Sequence, residues 1–446
     1  MSLASTDPGL VTKTTGYRRS LQIFSEEGTV DAYLRFEAAL AEAEGALGVI
    51  PEAAVAPIAA SCVIEAIDLD SLRQGAAVVG YPIVSLVAQL AGKVGEHGQW
   101  VHYGATTQDA MDTAQVLQLV EATDAVVTDL EAVKQMLAAL ADRYRATPMP
   151  GRTKIQHGVP LSFGYKVAVW LDQIERTGQA LIRASREAAV LQFGGAVGTL
   201  ASLGDSGAAV REELAERLGL ACPDISWHVS RDRMVQLAAA VSTLAAAFGK
   251  MAMDIALMMS TEVRELVEPA ADGRGSSSTM PQKRNPVICE AIVESARSIQ
   301  HVPGVLLDAM LQEYERGIGH GYRERVTLCE AVMHLAGIIS LSSDLLSGLD
   351  VNVAQMKSNL DLTHGLIHSE AIMMHLSREL GRLEAHHILQ KVARRIEITG
   401  EEIGWVLEAE SGITFPAELL SAKGPLDSAD AMIRLVLARL AHPAQT

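Results

Sequence analysis

Aromatic residues make up only 4% of this chain, and cysteine is scarcer still, with four in 446 positions. So little aromatic content beside abundant Ala, Leu, Val and Met argues against a sheet-dominated fold and for helix. The cysteines Cys62, Cys222, Cys289 and Cys329 are spread widely, without a CxxC pair or a His/Cys cluster at ligand spacing. That excludes a disulfide framework or zinc module and fits the reduced thiols of a cytoplasmic protein. Basic residues are also in deficit, 37 Lys plus Arg against 54 Asp plus Glu, a formal charge of −17. Such a balance excludes nucleic acid or an anionic membrane as the main partner, so an anionic substrate must meet locally clustered cations. The start, Met1 to Pro8, has no cationic segment followed by an apolar core, and no uncharged run reaches membrane-spanning length. Neither export nor a membrane anchor is therefore expected. Internal repeats and low-complexity tracts are absent as well.

What the chain does have is helical periodicity. From Asp112 to Tyr144, Val116, Leu119, Val120, Val126, Leu130, Val133, Leu137 and Leu140 recur at three- and four-residue steps with no Gly or Pro between. That spacing predicts one long helix. Similar segments run from about Leu161 to Leu191, Arg231 to Val263 and Val287 to Met310. The expected fold is all-α, a bundle of long helices. Gly/Pro breaks place its divisions near Gly104 and Leu349, giving segments 1–104, 105–349 and 350–446. Apolar positions such as Met251, Met253, Met258 and Met259 cover more than one helix face, which predicts association of subunits, with a thick monomer core as the alternative.

Three polar clusters interrupt the helices. Gly275-Ser276-Ser277-Ser278-Thr279-Met280-Pro281-Gln282-Lys283-Arg284-Asn285-Pro286 joins hydroxyls, two cations and an amide. Its composition fits either a surface loop or a loop that binds and polarises a carboxylate. His102-Tyr103-Gly104-Ala105-Thr106-Thr107-Gln108-Asp109 stands just before the first long helix. Thr107 or Asp109 can cap that helix, and the free N–H groups of a helix start can equally attract a carboxylate. Gly151-Arg152-Thr153-Lys154-Ile155-Gln156-His157-Gly158-Val159-Pro160 reads as the connection into the second long helix. Its residues alone leave His157 either a packing residue or a catalyst.

Taken together, these clusters resemble the fumarase/aspartase superfamily. The first resembles its GSSxMPxKxNP loop, with Ser276 at the usual second glycine and Ser277 at the catalytic serine. The second resembles HxGxTSxDxxDT, with Thr107 for the usual serine. The third resembles the GRTxxQHxxP pattern of the adenylosuccinate lyase and carboxymuconate cycloisomerase branch. Ile23 to Ser25 with Phe36 to Leu40, Phe193 to Leu200, Trp227 to Arg233, Gln312 to Arg316 and Asn359 to Thr363 are similar to the 3-carboxy-cis,cis-muconate cycloisomerase subfamily. Lys154 and Gln282 depart from it, since Trp and His are common there. Against adenylosuccinate lyase proper, Val78 to Ile83 lacks that family's Arg-His-Asp triplet.

The resemblance implies Ser277 as base and His157 as general acid. It also implies Thr106, Thr107, Lys283 and Asn285 as the groups that stabilise an aci-carboxylate, and His102 and Gln156 as further binding residues. Lys154 is a candidate for an extra carboxylate or phosphate, or a solvated ammonium. The expected chemistry is addition or elimination on a small polycarboxylate, most like cycloisomerisation of carboxymuconate. A C–N or C–O lyase releasing fumarate from an N-substituted aspartate, adenylosuccinate-like or other, is the alternative, and a silent structural homologue the third. The resemblance implies no metal or organic cofactor, and a homotetramer whose sites are shared between subunits.

Overall fold

The computed structural model describes residues 9–269, 273–413 and 415–441; the segment Met1 to Pro8, read above for export signals, lies outside them. Among these residues the chain is helical, with two small two-stranded antiparallel pairs. Its contacts divide it into two compact units, 1–130 with 177–249 and 294–341, and 131–176 with 250–293 and 342–446.

The first long helix, Thr107–Arg143, has 37 residues and so a length of about 55 Å. Val116, Leu119, Val126, Leu130, Val133 and Leu137 on its predicted stripe are each 2% exposed or less. It starts before Asp112 because the Asp109 carboxylate accepts the Thr106 N–H at 3.0 Å, satisfying a donor that the first turn would otherwise orphan. Two further expected segments are the helices Phe163–Ala188 and Asp232–Met258. The expected helix from Val287 to Met310 is instead two, Val287–Ser298 and Val302–Asp308. Pro303 breaks it: proline has no N–H to continue a helix but fits the first turn of the next. Two helices, Asp232–Met258 and Gly321–Ser347, are long and apolar enough to cross a membrane, yet 56% and 61% of their apolar windows are buried inside the protein. Such burial is that of core helices.

In the second unit, the segment expected as a plain connection is a β-hairpin of β1 (Pro148–Thr153) and β2 (Gln156–Ser162). Arg152 pairs with His157 and Thr153 with Gln156, so Lys154 and Ile155 form a two-residue turn. Both have positive φ, 50° and 68°, as the type I′ turn that matches strand twist requires. A side chain there costs about 1–2 kcal/mol in backbone strain, against about 0.5–1 kcal/mol for glycine's extra chain entropy. Ile155 is 83% exposed and loses little contact on truncation. Ile155→Gly should therefore raise the urea midpoint slightly. A lowered midpoint would show that another subunit covers Ile155. The C-terminal helices of this unit, Ser369–Leu380, Arg382–Thr399 and Ile403–Ser411, close around Ile372, Leu376, Leu389, Val392 and Val406.

Candidate active site

The Ser-rich segment is a closed loop of the second unit. Asn285 donates its N–H to Gly275 O at 2.9 Å, and Ser276 bridges Arg284, so both ends are tied. Gly275 has φ 69° and sits so near Asn285 that a Cβ would meet its carbonyl oxygen at 2.6 Å. Only glycine fits both conditions. Beyond the loop, buried Glu268 accepts the N–H groups of Ile288 at 3.1 Å and Cys289 at 2.7 Å, anchoring the start of the next helix. Within the loop, half-buried Ser277 Oγ accepts N–H groups from Thr279 at 3.3 Å and Met280 at 3.1 Å. Donors aimed at a hydroxyl oxygen favour its anionic form. Lys283 is exposed and Asn285 half-buried on the same loop.

His157 lies on β2 opposite Arg152. Arg152 forms a two-pronged ion pair with buried Glu265, at 2.9 and 2.6 Å, and Asn359 Nδ2 donates to the same carboxylate at 2.8 Å. This fixes a guanidinium beside the imidazole. Burial and then the Arg152 charge hold the His157 pKa below the ordinary imidazole value, with Glu265 opposing them. His157 Nδ1 is buried without a hydrogen-bond partner. Gln156 and Lys154 are exposed on the same hairpin. No hydrogen bond or ion pair among the described residues joins His157 to the Ser loop.

His102, Thr106 and Thr107 belong to the first unit. His102 Nδ1 is 2.6 Å from Glu37 Oε1. Thr106 Oγ1 accepts from Arg316 at 2.8 Å, and the same guanidinium donates to Gln108 Oε1 at 3.2 Å. Thr107 lines a cavity of about 500 Å³ with Arg231, Arg316, Arg325 and Tyr322. Asp112 pairs with Arg231 at 2.9 Å and Arg325 at 3.1 Å, and Glu324 with Arg231 at 3.0 Å. Three guanidiniums thus gather here, Arg231 and Arg325 already paired with buried carboxylates and Arg316 bound to Thr106 and Gln108. Among the described residues, no group of three or more His, Cys, Asp or Glu is arranged to hold a metal ion.

A family model described as Lyase matches residues 14–301. The chain belongs to this fumarate lyase family. It is 42% identical over 393 residues to a 3-carboxy-cis,cis-muconate cycloisomerase of Bradyrhizobium diazoefficiens, covering 87% of each chain. A relative of the same name from Pseudomonas aeruginosa is 42% identical over 396 residues, 88% of this chain and 86% of that one. The solved 3-carboxy-cis,cis-muconate lactonizing enzyme of Pseudomonas putida superposes with TM-score 0.88 at 36% identity, covering 95% of this chain and 97% of that one. This fumarate lyase is thus an enzyme of the all-α superfamily that its motifs resemble.

Nothing in the sequence of this fumarate lyase marks Arg316, Arg325 or Arg231 as a site residue in its own right. Gln312 to Arg316 and Trp227 to Arg233 stood out only as matched segments. Arg316 reaches Thr106 across 210 positions of sequence, and no local pattern carries that contact.

Proposed function

We propose that this fumarate lyase closes 3-carboxy-cis,cis-muconate to its lactone, as a soluble, cytoplasmic homotetramer of three-segment subunits divided near residues 104 and 349. The observation that carries the reading is Ser277 Oγ, held by two N–H donors on the loop that bears Lys283 and Asn285, in a family whose similar members take their name from this reaction. A substrate carboxylate oxygen forms the new C–O bond at one end of a conjugated double bond. The displaced electron pair moves onto the neighbouring carboxylate as an aci-carboxylate. Ser277 then gives its hydroxyl proton to carbon, its alkoxide sharing the N–H groups of Thr279 and Met280, and solvent restores the proton. Lys283, Asn285, Thr106 and Thr107 hold the charge that appears only in the transition state, which is where stabilisation raises the rate. We assign His102, Gln156 and Lys154 to the substrate's other carboxylates.

His157 favours this reaction over fumarate release. A departing nitrogen or oxygen needs a proton from an acid, whereas an attacking carboxylate has no proton to lose. Burial and the Arg152 charge bias His157 toward its neutral form, which fits the role of hydrogen-bond donor to the attacking carboxylate. Incubating purified protein with carboxymuconate, adenylosuccinate, argininosuccinate and simple N-substituted aspartates tests the reading. Loss of muconate absorbance alone is expected; fumarate from an aspartate derivative would replace the proposal with the lyase, and no turnover of any of them with the silent homologue.

Exposed apolar side chains on the long helices, such as Met253 at 37% and Leu257 at 54%, support an assembly in which clusters from different subunits meet. Light scattering should give about four chains, and a monodisperse monomer at micromolar concentration would sink both the tetramer and the shared site. For Lys154, a contact made equally in ground and transition states predicts that Lys154→Met mainly raises KM. The loss should be about 1–3 kcal/mol, as for a charge-assisted hydrogen bond. Unchanged kcat and KM would return Lys154 to the solvent.

A further inference from the structure

The first unit buries two carboxyl groups that the chemistry above does not use. Glu37 and Glu44 lie on the helix Glu26–Ala46, seven residues and so two turns apart on one face. They are 1% and 0% exposed. Glu37 Oε1 is 2.6 Å from His102 Nδ1, while its other oxygen and both oxygens of Glu44 have no hydrogen-bond partner. His102 itself is held at φ 59°, a left-handed conformation uncommon for a side-chain-bearing residue, just ahead of Thr106.

We propose that Glu37 is a positioning residue: by accepting Nδ1–H it holds His102 as an imidazolium whose Nε2–H remains for a substrate carboxylate beside Thr106 and Thr107. This rests on the reading of Thr106 and Thr107 as carboxylate-binding groups. The surrounding charges fit it. Burial alone would lower the His102 pKa, but the charge and hydrogen bond of Glu37, with the charge of Asp109 from the neighbouring helix, raise it overall. Burial, then Glu37, pushes the Glu44 carboxyl up to about 9, so Glu44 keeps its proton and does not compete for the imidazolium. Burial and Glu37 likewise push the facing Cys62 thiol up to about 12, leaving it neutral. His102 is thus moved up and His157 down, which biases two groups of one type toward different charge states.

The test uses the full chain with ¹³C-labelled histidine, the His102 signal being identified through His102→Gln. In the parent, His102 should titrate above the ordinary value of 6.5. Glu37→Gln should lower that titration by about one unit or more. The basic limb of kcat/KM for carboxymuconate should move by the same amount, an approximately tenfold loss near pH 8 that shrinks toward pH 6. Glu37→Asp should restore part of both. A parent His102 titrating at or below 6.5 would overturn the proposal, as would a Glu37→Gln enzyme whose basic limb stays in place. Should Glu37→Gln fail to fold, the parent titration and Glu37→Asp decide. The titration needs no substrate, so a chain that ignores carboxymuconate sinks the functional reading while the Glu37 coupling is still judged.

Discussion

Ser277→Ala should turn over carboxymuconate at least about a hundredfold more slowly than the parent, the loss expected when a proton-transfer group is removed from the transition state. The fold should be unaffected. Ser277 Oγ only accepts hydrogen bonds, from Thr279 and Met280 N–H groups on an exposed stretch of loop, and water can replace it for both. Ser276→Gly is the internal control. The Ser276 hydroxyl donates to Gly273 O at 2.9 Å, a turn contact, and its backbone bridge to Arg284 survives the change. Its effect on kcat should be far smaller. Steady-state kinetics with circular dichroism on both variants separates the two. An inactive Ser276→Gly beside an active Ser277→Ala would show that the motif register placing Ser277 at the catalytic serine is wrong by one residue.

Much of the bundle was legible because a helix repeats its apolar face within a few residues. The stripe from Val116 to Leu137 could be read without knowing its neighbours, and its positions are buried. The hairpin was not legible for the converse reason. Its turn is Lys154-Ile155 rather than the Asn-Gly such turns favour, and the pairing of Arg152 with His157 is specified by tertiary packing around Glu265. Pro303 was visible, but the length of the apolar pattern around it outweighed the break.

The candidate site divides in the same way. Ser277, Lys283 and Asn285 could be named because one short loop carries them and its wording is specific. Arg316 on Thr106, Glu37 on His102 and Asn359 on Glu265 join residues far apart in sequence; each of the three lies in a segment similar to the subfamily, but nothing local marks its contact. Glu37 falls within Phe36-Glu37-Ala38-Ala39-Leu40, a segment similar to the subfamily, but nothing in the sequence there marks it or Glu44 as buried. Both are buried, and only contact with other elements decides that.

Asp109→Asn should cost the protein about 3–5 kcal/mol, the range for breaking a buried charged network by changing one member. Sequence left Asp109 as a possible helix cap, and capping is the smallest part of its role. One oxygen of this fully buried carboxylate accepts Gly194 N–H at 3.0 Å and lies 2.7 Å from His228 Nε2; the other accepts Gly195 N–H at 2.9 Å and Thr106 N–H at 3.0 Å. An amide offers one oxygen, so its NH₂ must face donors on the other side, and buried donors left without an acceptor each cost about 1–3 kcal/mol. The exposed pair Arg323 and Asp308 provides the contrast, since Asp308→Asn removes a surface bridge worth at most about 1 kcal/mol. Urea unfolding should show a large fall in midpoint for Asp109→Asn and a small one for Asp308→Asn. Because Thr106 N–H hangs on the same carboxylate, kcat/KM measured well below the unfolding midpoint should fall too in Asp109→Asn. A variant that loses stability but keeps kcat/KM would detach Asp109 from the site and leave it a purely structural anchor.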